Sequence, residues 1–141
     1  HCEYSTENDF DKLISLNLKS NWLAARNFIP LLREQGSGCL LFVSALASLG
    51  RGEAGMSLYL ASKSALNTLV QCLAKETQAD GVRVNAVLPG VINTKANREA
   101  MGDNHQDKWL DPAEVCESIT QLLEPEAKNI NGALIALPDD L

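Results

Sequence analysis

Two short apolar runs, Gly38-Cys39-Leu40-Leu41-Phe42-Val43-Ser44 and Val82-Arg83-Val84-Asn85-Ala86-Val87-Leu88, stand on either side of one long amphipathic stretch. That pattern constrains the fold more than any other feature of the chain. Each run has the length and apolar continuity of a strand buried on both faces. Between them Ala65, Leu66, Leu69, Val70, Leu73 and Ala74 recur at helical spacing until Asp80-Gly81 stops the pattern. Strand, loop, helix, strand is a βαβ unit with parallel strands, and ligands of such sheets bind beyond the carboxyl ends of the strands. Ser44, Tyr59 and the segment Pro89-Gly90-Val91-Ile92-Asn93-Thr94 all fall at that end.

The flanking sequence extends the same architecture. Thr6-Glu7-Asn8-Asp9 reads as a helix start, with Thr6 as cap and Asp9 three residues on, leading into Phe10, Leu13, Ile14, Leu18 and Leu23 on one helical face. Pro30 is expected to bend or end that helix, and Gln35-Gly36-Ser37-Gly38 to turn the chain into the first strand. Asp111-Pro112-Ala113-Glu114 combines an N-cap, a proline at the first helical position and a capping-box acid. A last strand over Ala133 to Leu137 makes three parallel strands with flanking helices, an α/β fold. The polar segment Lys95 to Leu110, with Trp109 near its end, reads either as a mobile cover over the site or as an ordinary surface loop.

Tyr59 and Lys63 lie four residues apart at the start of the central helix, which puts phenol and ammonium on one face. A free tyrosine, with a pKa of about 10, is a poor acid or base near neutrality. A neighbouring cation favours the phenolate, so Tyr59 is a candidate to exchange a proton with a hydroxyl or carbonyl oxygen while hydride moves at carbon. A helix surface that happens to carry Tyr and Lys at this spacing is the plainer alternative, and the surroundings decide between them.

With those residues in view, the chain from about Phe10 to Leu137 resembles the short-chain dehydrogenase/reductase family. The matching residues are Asn17 in Leu16-Asn17-Leu18-Lys19, Tyr59 and Lys63 with Ala61-Ser62, Val82-Arg83-Val84-Asn85, Pro89 to Thr94, and Ile130-Asn131-Gly132-Ala133. The resemblance implies the C-terminal part of a Rossmann-type doubly wound parallel sheet and hydride transfer with NAD or NADP. It implies that Tyr59 is the acid/base and that Lys63 lowers its pKa and holds the nicotinamide ribose. Asn17 would hold a proton-relay water, and the segment from Pro89 and Gly90 through Ile92 and Thr94 would contact the carboxamide. In that family a catalytic serine usually stands about thirteen residues before the tyrosine, where its hydroxyl polarises the substrate oxygen. Here that count lands on Leu46, with Ser44 and Ser48 on either side. Aligned from the strand end, Ala45 takes the serine place and Ser44 precedes it. Ser44 acting as the catalytic hydroxyl and a serine-free site both stay open. Gly55-Met56-Ser57-Leu58-Tyr59 and Thr94 to Met101, with Trp109 following, are similar to the dihydropteridine reductase branch, in which alanine takes that place.

A chain of 141 residues is shorter than this family's complete fold. Residues 1–141 are therefore expected to be a partial Rossmann-type domain, the catalytic half, with the nucleotide-binding half and the residue selecting NAD or NADP upstream of His1. Gly50-Arg51-Gly52-Glu53-Ala54-Gly55 matches G-x-G-x-x-G but begins too late after Ser44 for a tight strand-to-helix turn, so it reads as a loop beside the substrate pocket. The functional expectation is an NAD(P)-dependent oxidoreductase acting on a carbonyl, alcohol or quinonoid small molecule. The alternative is a truncated, non-catalytic descendant that serves as an association module.

A formal charge of −6 argues against nucleic acid or an anionic membrane as partner, because both call for a basic patch. Cys2, Cys39, Cys72 and Cys116 are widely spaced, which favours reduced thiols and a cytoplasmic setting over disulfides or zinc. Cys39 and Cys72 stand in apolar stretches, while His1 and His105 flank no ligand cluster and are expected at the surface; no metal is implied. By resemblance, the helices of Asn8 to Arg33 and Met56 to Gln78 would form the interface of a homo-oligomer.

Overall fold

The computed structural model describes residues 1–50, 52–102 and 108–138. Arg51 and His105, and residues 103–107 of the polar segment, lie outside the described residues. Three strands, β1 (Gly38–Val43), β2 (Val82–Pro89) and β3 (Leu134–Leu137), form a parallel sheet in the order β1-β2-β3. Gly38 is in register with Val82 and Val43 with Val87, while Ala86 pairs with Leu134 and Pro89 with Leu137. β2 is paired on both edges and covered on both faces, so almost every residue in it is buried and apolar alternation is lost. β1 ends one residue earlier than its apolar run implied, although the Ser44 amide still donates to the Val87 carbonyl at 2.8 Å.

The first helix is built in three parts. Thr6 and Asp9 form a complete capping box that starts α1 (Glu7–Ile14). A π-helical turn over Ser15–Lys19 follows without a break in helical dihedrals, and α2 (Ser20–Gln35) continues it. Of the bend or end expected at Pro30, the end does not occur there: the helix continues past Pro30 and ends at Gly36, in the left-handed conformation with φ 74°. Pro30 cannot donate to the Arg26 carbonyl, but both residues are exposed, so water can take the donor's place.

α2 and α3 (Ser57–Thr77) cover one face of the sheet. Ala25 and Ile29 of α2 meet Leu66, Val70, Leu73 and Ala74 of α3 over Phe42, Val84, Ala86 and Leu88. Burying each of the larger side chains contributes roughly 1.5–3 kcal/mol. α5 (Pro112–Leu123) lies against the other face, begun by Asp111, whose side chain accepts from the Ala113 amide, and by Pro112. Arg83 points to that face and donates to the Leu122 carbonyl at 3.0 Å, placing a cation at the negative end of α5.

At the amino ends of the strands two left-handed glycines meet. A Cβ on Gly81 (φ 71°) would stand 2.7 Å from the Gly36 carbonyl oxygen, so the turn tolerates only glycine. Two of the sequence motifs clasp each other nearby. Asn85 donates to the Ile130 carbonyl and accepts from the Ala133 amide, both at 2.9 Å, while Asn131 accepts from the Val84 amide and donates to the Ala74 carbonyl. The clasp sets β3 beside β2.

The polar segment after β2 begins as helix: α4 (Lys95–Met101) follows directly on Thr94. Ile92 and Leu110 form a parallel bridge that ties the two ends of this excursion together. Among the described residues, no helix is long and apolar enough to cross a membrane.

Candidate active site at the carboxyl ends of the strands

Tyr59 and Lys63 fall in the first two turns of α3, which starts where Gly55 (φ 85°) turns the chain out of the preceding loop. Both side chains are half-buried. The Lys63 ammonium stands 6.0 Å from the Tyr59 ring centre and donates to the Val43 carbonyl at 3.0 Å. Asn17 lies in the π-helical turn, and its amide donates to Ser62 Oγ at 3.0 Å. Ser62, fully buried, donates in turn to the Tyr59 carbonyl at 2.7 Å. A side-chain relay therefore joins Asn17 to the helical turn that carries Tyr59. Asn17's carbonyl accepts from Asn21 Nδ2 at 2.8 Å.

Tyr59 lies on the wall of an open cavity of about 610 Å³. Ala45 and Leu46 form one side of it, Pro89, Gly90 and Val91 another, and Glu53, Met56, Asn97 and Met101 the remainder. The loop of Gly50 to Gly55 thus contributes to the pocket, through Glu53. A second hollow of about 600 Å³ lies between the start of α5 and the end of β3, but its wall carries neither Tyr59 nor Lys63.

Ser44 does not join Tyr59 on that wall. It is buried, and its hydroxyl points to the Lys63 carbonyl at 3.4 Å. The residue at the wall is Ala45. Ser48 is turned away as well: its hydroxyl donates to the Ala45 carbonyl at 2.6 Å and accepts from Asn67 Nδ2 at 2.8 Å, while Ser64 donates to its carbonyl. These bonds brace the loop that presents Ala45.

Of the segment Pro89 to Thr94, Pro89 at the end of β2 and the following Gly90 and Val91 reach the cavity, and the Gly90 amide donates to the Leu137 carbonyl at 2.8 Å. Thr94 caps α4, its hydroxyl oxygen accepting from the Asn97 amide at 3.2 Å. The Ile92 carbonyl accepts from Asn97 Nδ2 at 2.8 Å. Glu53, Met56, Asn97 and Met101 were not singled out from the sequence. Met56 precedes Tyr59 by three positions and Asn97 follows the Thr94 cap by three, so helical spacing alone would have placed them near those residues.

The electrostatics differ from the sequence expectation at one point. Burial pushes the Tyr59 phenol above its ordinary value, because loss of water penalises the phenolate. Burial likewise pulls the Lys63 ammonium below its usual range. The expected lowering of Tyr59 by Lys63 is absent, since the ammonium is directed to the Val43 carbonyl. His1 is exposed, Cys2, Cys72 and Cys116 are exposed, and Cys39 is half-buried; all four thiols are free. Exposure of Cys72 departs from the apolar surroundings its sequence suggested: it sits on the outer face of α3.

Comparison with known proteins bears on this geometry. A family model described as Enoyl-(Acyl carrier protein) reductase matches residues 1–137. A tropinone reductase homolog of Arabidopsis thaliana is 36% identical over 149 residues, covering 99% of this chain and 55% of that protein. The chain spans about half the length of the curated relatives it matches. Among solved structures, a short chain dehydrogenase/reductase family protein superposes with a TM-score of 0.91 at 26% identity, covering 97% of this chain and 59% of that one. A 3-ketoacyl-(acyl-carrier-protein) reductase from Brucella melitensis, complexed with NADH, shares the fold with a TM-score of 0.89 at 23% identity over 97% of this chain and 59% of that one.

Proposed function

The chain belongs to the short-chain dehydrogenase/reductase family, and from that premise we propose that it forms the catalytic part of an NAD(P)-dependent oxidoreductase with Tyr59 as its acid/base. The observation that carries the reading is the Tyr59 phenol on the cavity wall, with Lys63 one turn further along the same helix and Asn17 tied to that turn through Ser62. In reduction the phenol gives its proton to the substrate oxygen as the adjoining carbon receives hydride; in oxidation the phenolate takes a proton from the hydroxyl.

The residues present fit a nicotinamide nucleotide, NAD or NADP. An ammonium has three donors, and Lys63 uses one on the Val43 carbonyl, which leaves two for ribose hydroxyls. Thr94 only accepts in its cap, so its own proton is free to reach a carboxamide oxygen. Pro89, Gly90 and Ile92 would supply the backbone edge beside that group. Bound there, the nicotinamide supplies or takes the hydride.

The substrate is a small carbonyl or alcohol compound, and Ala45 on the wall supports a site without a serine hydroxyl, similar to the dihydropteridine reductase branch. Such a site suits carbons whose own electronics favour hydride acceptance. Four free thiols favour a reducing, cytoplasmic setting. A homo-oligomer built through α2 and α3 would cover Trp22, Phe28 and Leu31, which are 43%, 54% and 60% exposed here. That exposure is also what favours the second reading, a non-catalytic association module.

The deciding experiment is Tyr59→Phe in the intact reading frame that contains this chain, assayed by NADH and NADPH oxidation with a panel of small ketones. Turnover should fall by about 10²-fold or more while nucleotide binding persists. Undiminished turnover would remove Tyr59 from its role. Absence of both turnover and nucleotide binding in the wild type would leave the association module standing.

A further inference from the structure

Tyr59 and Ala45 share the wall of the cavity, and matching hydrogen-bond relays hold them there. Behind Tyr59, Ser62 stands three residues on, donates to the Tyr59 carbonyl at 2.7 Å and accepts from Asn17 Nδ2 at 3.0 Å. Behind Ala45, Ser48 also stands three residues on, donates to the Ala45 carbonyl at 2.6 Å and accepts from Asn67 Nδ2 at 2.8 Å. In each relay the one hydroxyl proton is spent on the carbonyl, so the serine oxygen can only accept from the asparagine, which assigns the amide orientation. Ser48 is tied to α3 at a second point, because Ser64 Oγ donates to its carbonyl at 3.2 Å. The Ala45 carbonyl in turn receives the Ser48 amide at 3.0 Å besides the hydroxyl. Asn67 is buried in α3, about two turns beyond Tyr59. Both wall residues are therefore positioned from the same helix, Tyr59 directly and Ala45 through Ser48.

Resting on the oxidoreductase reading above, we propose that Ser48 and Asn67 are positioning residues for substrate selectivity. Together they fix Ala45 relative to Tyr59, and so set the width of the space in which a carbonyl carbon and its substituents sit beside the phenol. Neither residue touches the substrate; the Ala45 methyl group meets it on their behalf. Dispersion contacts fall off within a fraction of an ångström, so a wall held this firmly discriminates between ketones that differ by a single branch. A wall released from the relay gives way to the larger substituent. The buried asparagine makes the device firm, because a serine hydroxyl bonded only to the carbonyl three residues back would be free to exchange that bond for water.

The test uses the intact enzyme with its nucleotide and two ketones that differ only in carrying a methyl or an isopropyl group on one side of the carbonyl. The readout is the ratio of their kcat/KM values, with nucleotide Kd and the urea midpoint measured alongside. Ser48→Ala should shift the ratio towards the isopropyl ketone by about fivefold or more, while nucleotide Kd stays within about twofold. That variant also strips Asn67 Nδ2 of its acceptor and should lose stability. Ser48→Ala combined with Asn67→Leu removes both polar partners and should restore most of the stability. The altered ratio should persist in the double variant, because the Ala45 carbonyl still lacks its hydroxyl donor. Ser48→Thr keeps the hydroxyl and should keep the wild-type ratio. A ratio unchanged in Ser48→Ala, or one that returns to the wild-type value as stability returns in the double variant, makes the relay a structural brace only and overturns the assignment; turnover by the wild type then leaves the oxidoreductase reading intact. Where the nucleotide binds and neither ketone reacts, crystals of the double variant decide: a shift of Ala45 by about 0.5 Å or more supports the assignment, and an unmoved Ala45 overturns it. Absence of both turnover and nucleotide binding in the wild type overturns both.

Discussion

The Lys63 ammonium donates to the Val43 carbonyl at 3.0 Å, tying the helix that carries Tyr59 to the last residue of β1. This bond holds the lysine stem against the strand end and keeps its remaining donors at the carboxyl edge of the sheet, where nucleotides bind in such folds. In the intact protein Lys63→Met should raise the nucleotide Kd and lower kcat/KM by about 10²-fold, with a stability change of only about 1 kcal/mol, the usual worth of one hydrogen bond. Isothermal titration and urea unfolding measure the two effects separately. A large loss of stability with unchanged nucleotide affinity would make Lys63 a structural residue.

Ser44 and Ala45 make opposite predictions. Because the Ser44 hydroxyl is directed to the Lys63 carbonyl, and not into the cavity, Ser44→Ala should leave kcat within about threefold of the wild type, far less than loss of a group that stabilises developing charge. Ala45→Ser would place a hydroxyl on the wall that Tyr59 shares and should raise turnover of simple ketones whose oxygen needs polarisation. Steady-state kinetics with one unactivated ketone decide the matter. A collapse of activity in Ser44→Ala would restore that residue to the catalytic set.

Much of this was legible from the chain itself. The buried strands, the helix carrying Tyr59 and Lys63, and the Thr6 capping box each rest on local chemistry that sequence spacing records. The helix continues at Pro30 although a proline removes a donor and crowds the carbonyl four residues back: Arg26 is open to water, and burial of Ala25 and Ile29 holds the same helix on the core, both tertiary facts. The direction of the Ser44 hydroxyl was hidden for a related reason: it depends on where the strand ends against α3, to within one residue. Glu53, Asn97 and Met101 come to the cavity from two separate excursions that the sequence placed near the site, but which of their side chains line the wall depends on how those excursions pack.

The clasp between Asn85 and the Ile130 to Ala133 segment gives a stability prediction. Asn85 is fully buried and satisfies both a carbonyl and an amide of the chain entering β3. Asn85→Leu removes both partners at once, and each orphaned buried group costs about 1–3 kcal/mol. The intact protein should lose about 3 kcal/mol or more in urea unfolding. Asn85→Asp keeps an acceptor for the Ala133 amide but loses the donor to Ile130, and should place a poorly paired charge in the interior. A loss below about 1 kcal/mol for Asn85→Leu would mean that water takes over both groups.

The half-buried Tyr59 makes its own prediction at high pH. Burial raises its folded-state pKa above the unfolded value of about 10, so the folded protein holds that proton after the unfolded chain has released it. The stability it contributes is therefore complete below about pH 10 and is lost as pH rises through the folded-state value. Lys63, lowered by burial, acts with the opposite sign: its contribution is present above about 10.4 and is lost as pH falls through its folded-state value. Tyr59→Phe removes only the first of these. The urea midpoint of the wild type should consequently fall relative to Tyr59→Phe on passing from neutral pH to above about pH 10, whatever offset the two proteins show at neutrality. A parallel pH dependence in the two proteins would mean that the Tyr59 phenol is as well hydrated in the folded state as in the unfolded chain.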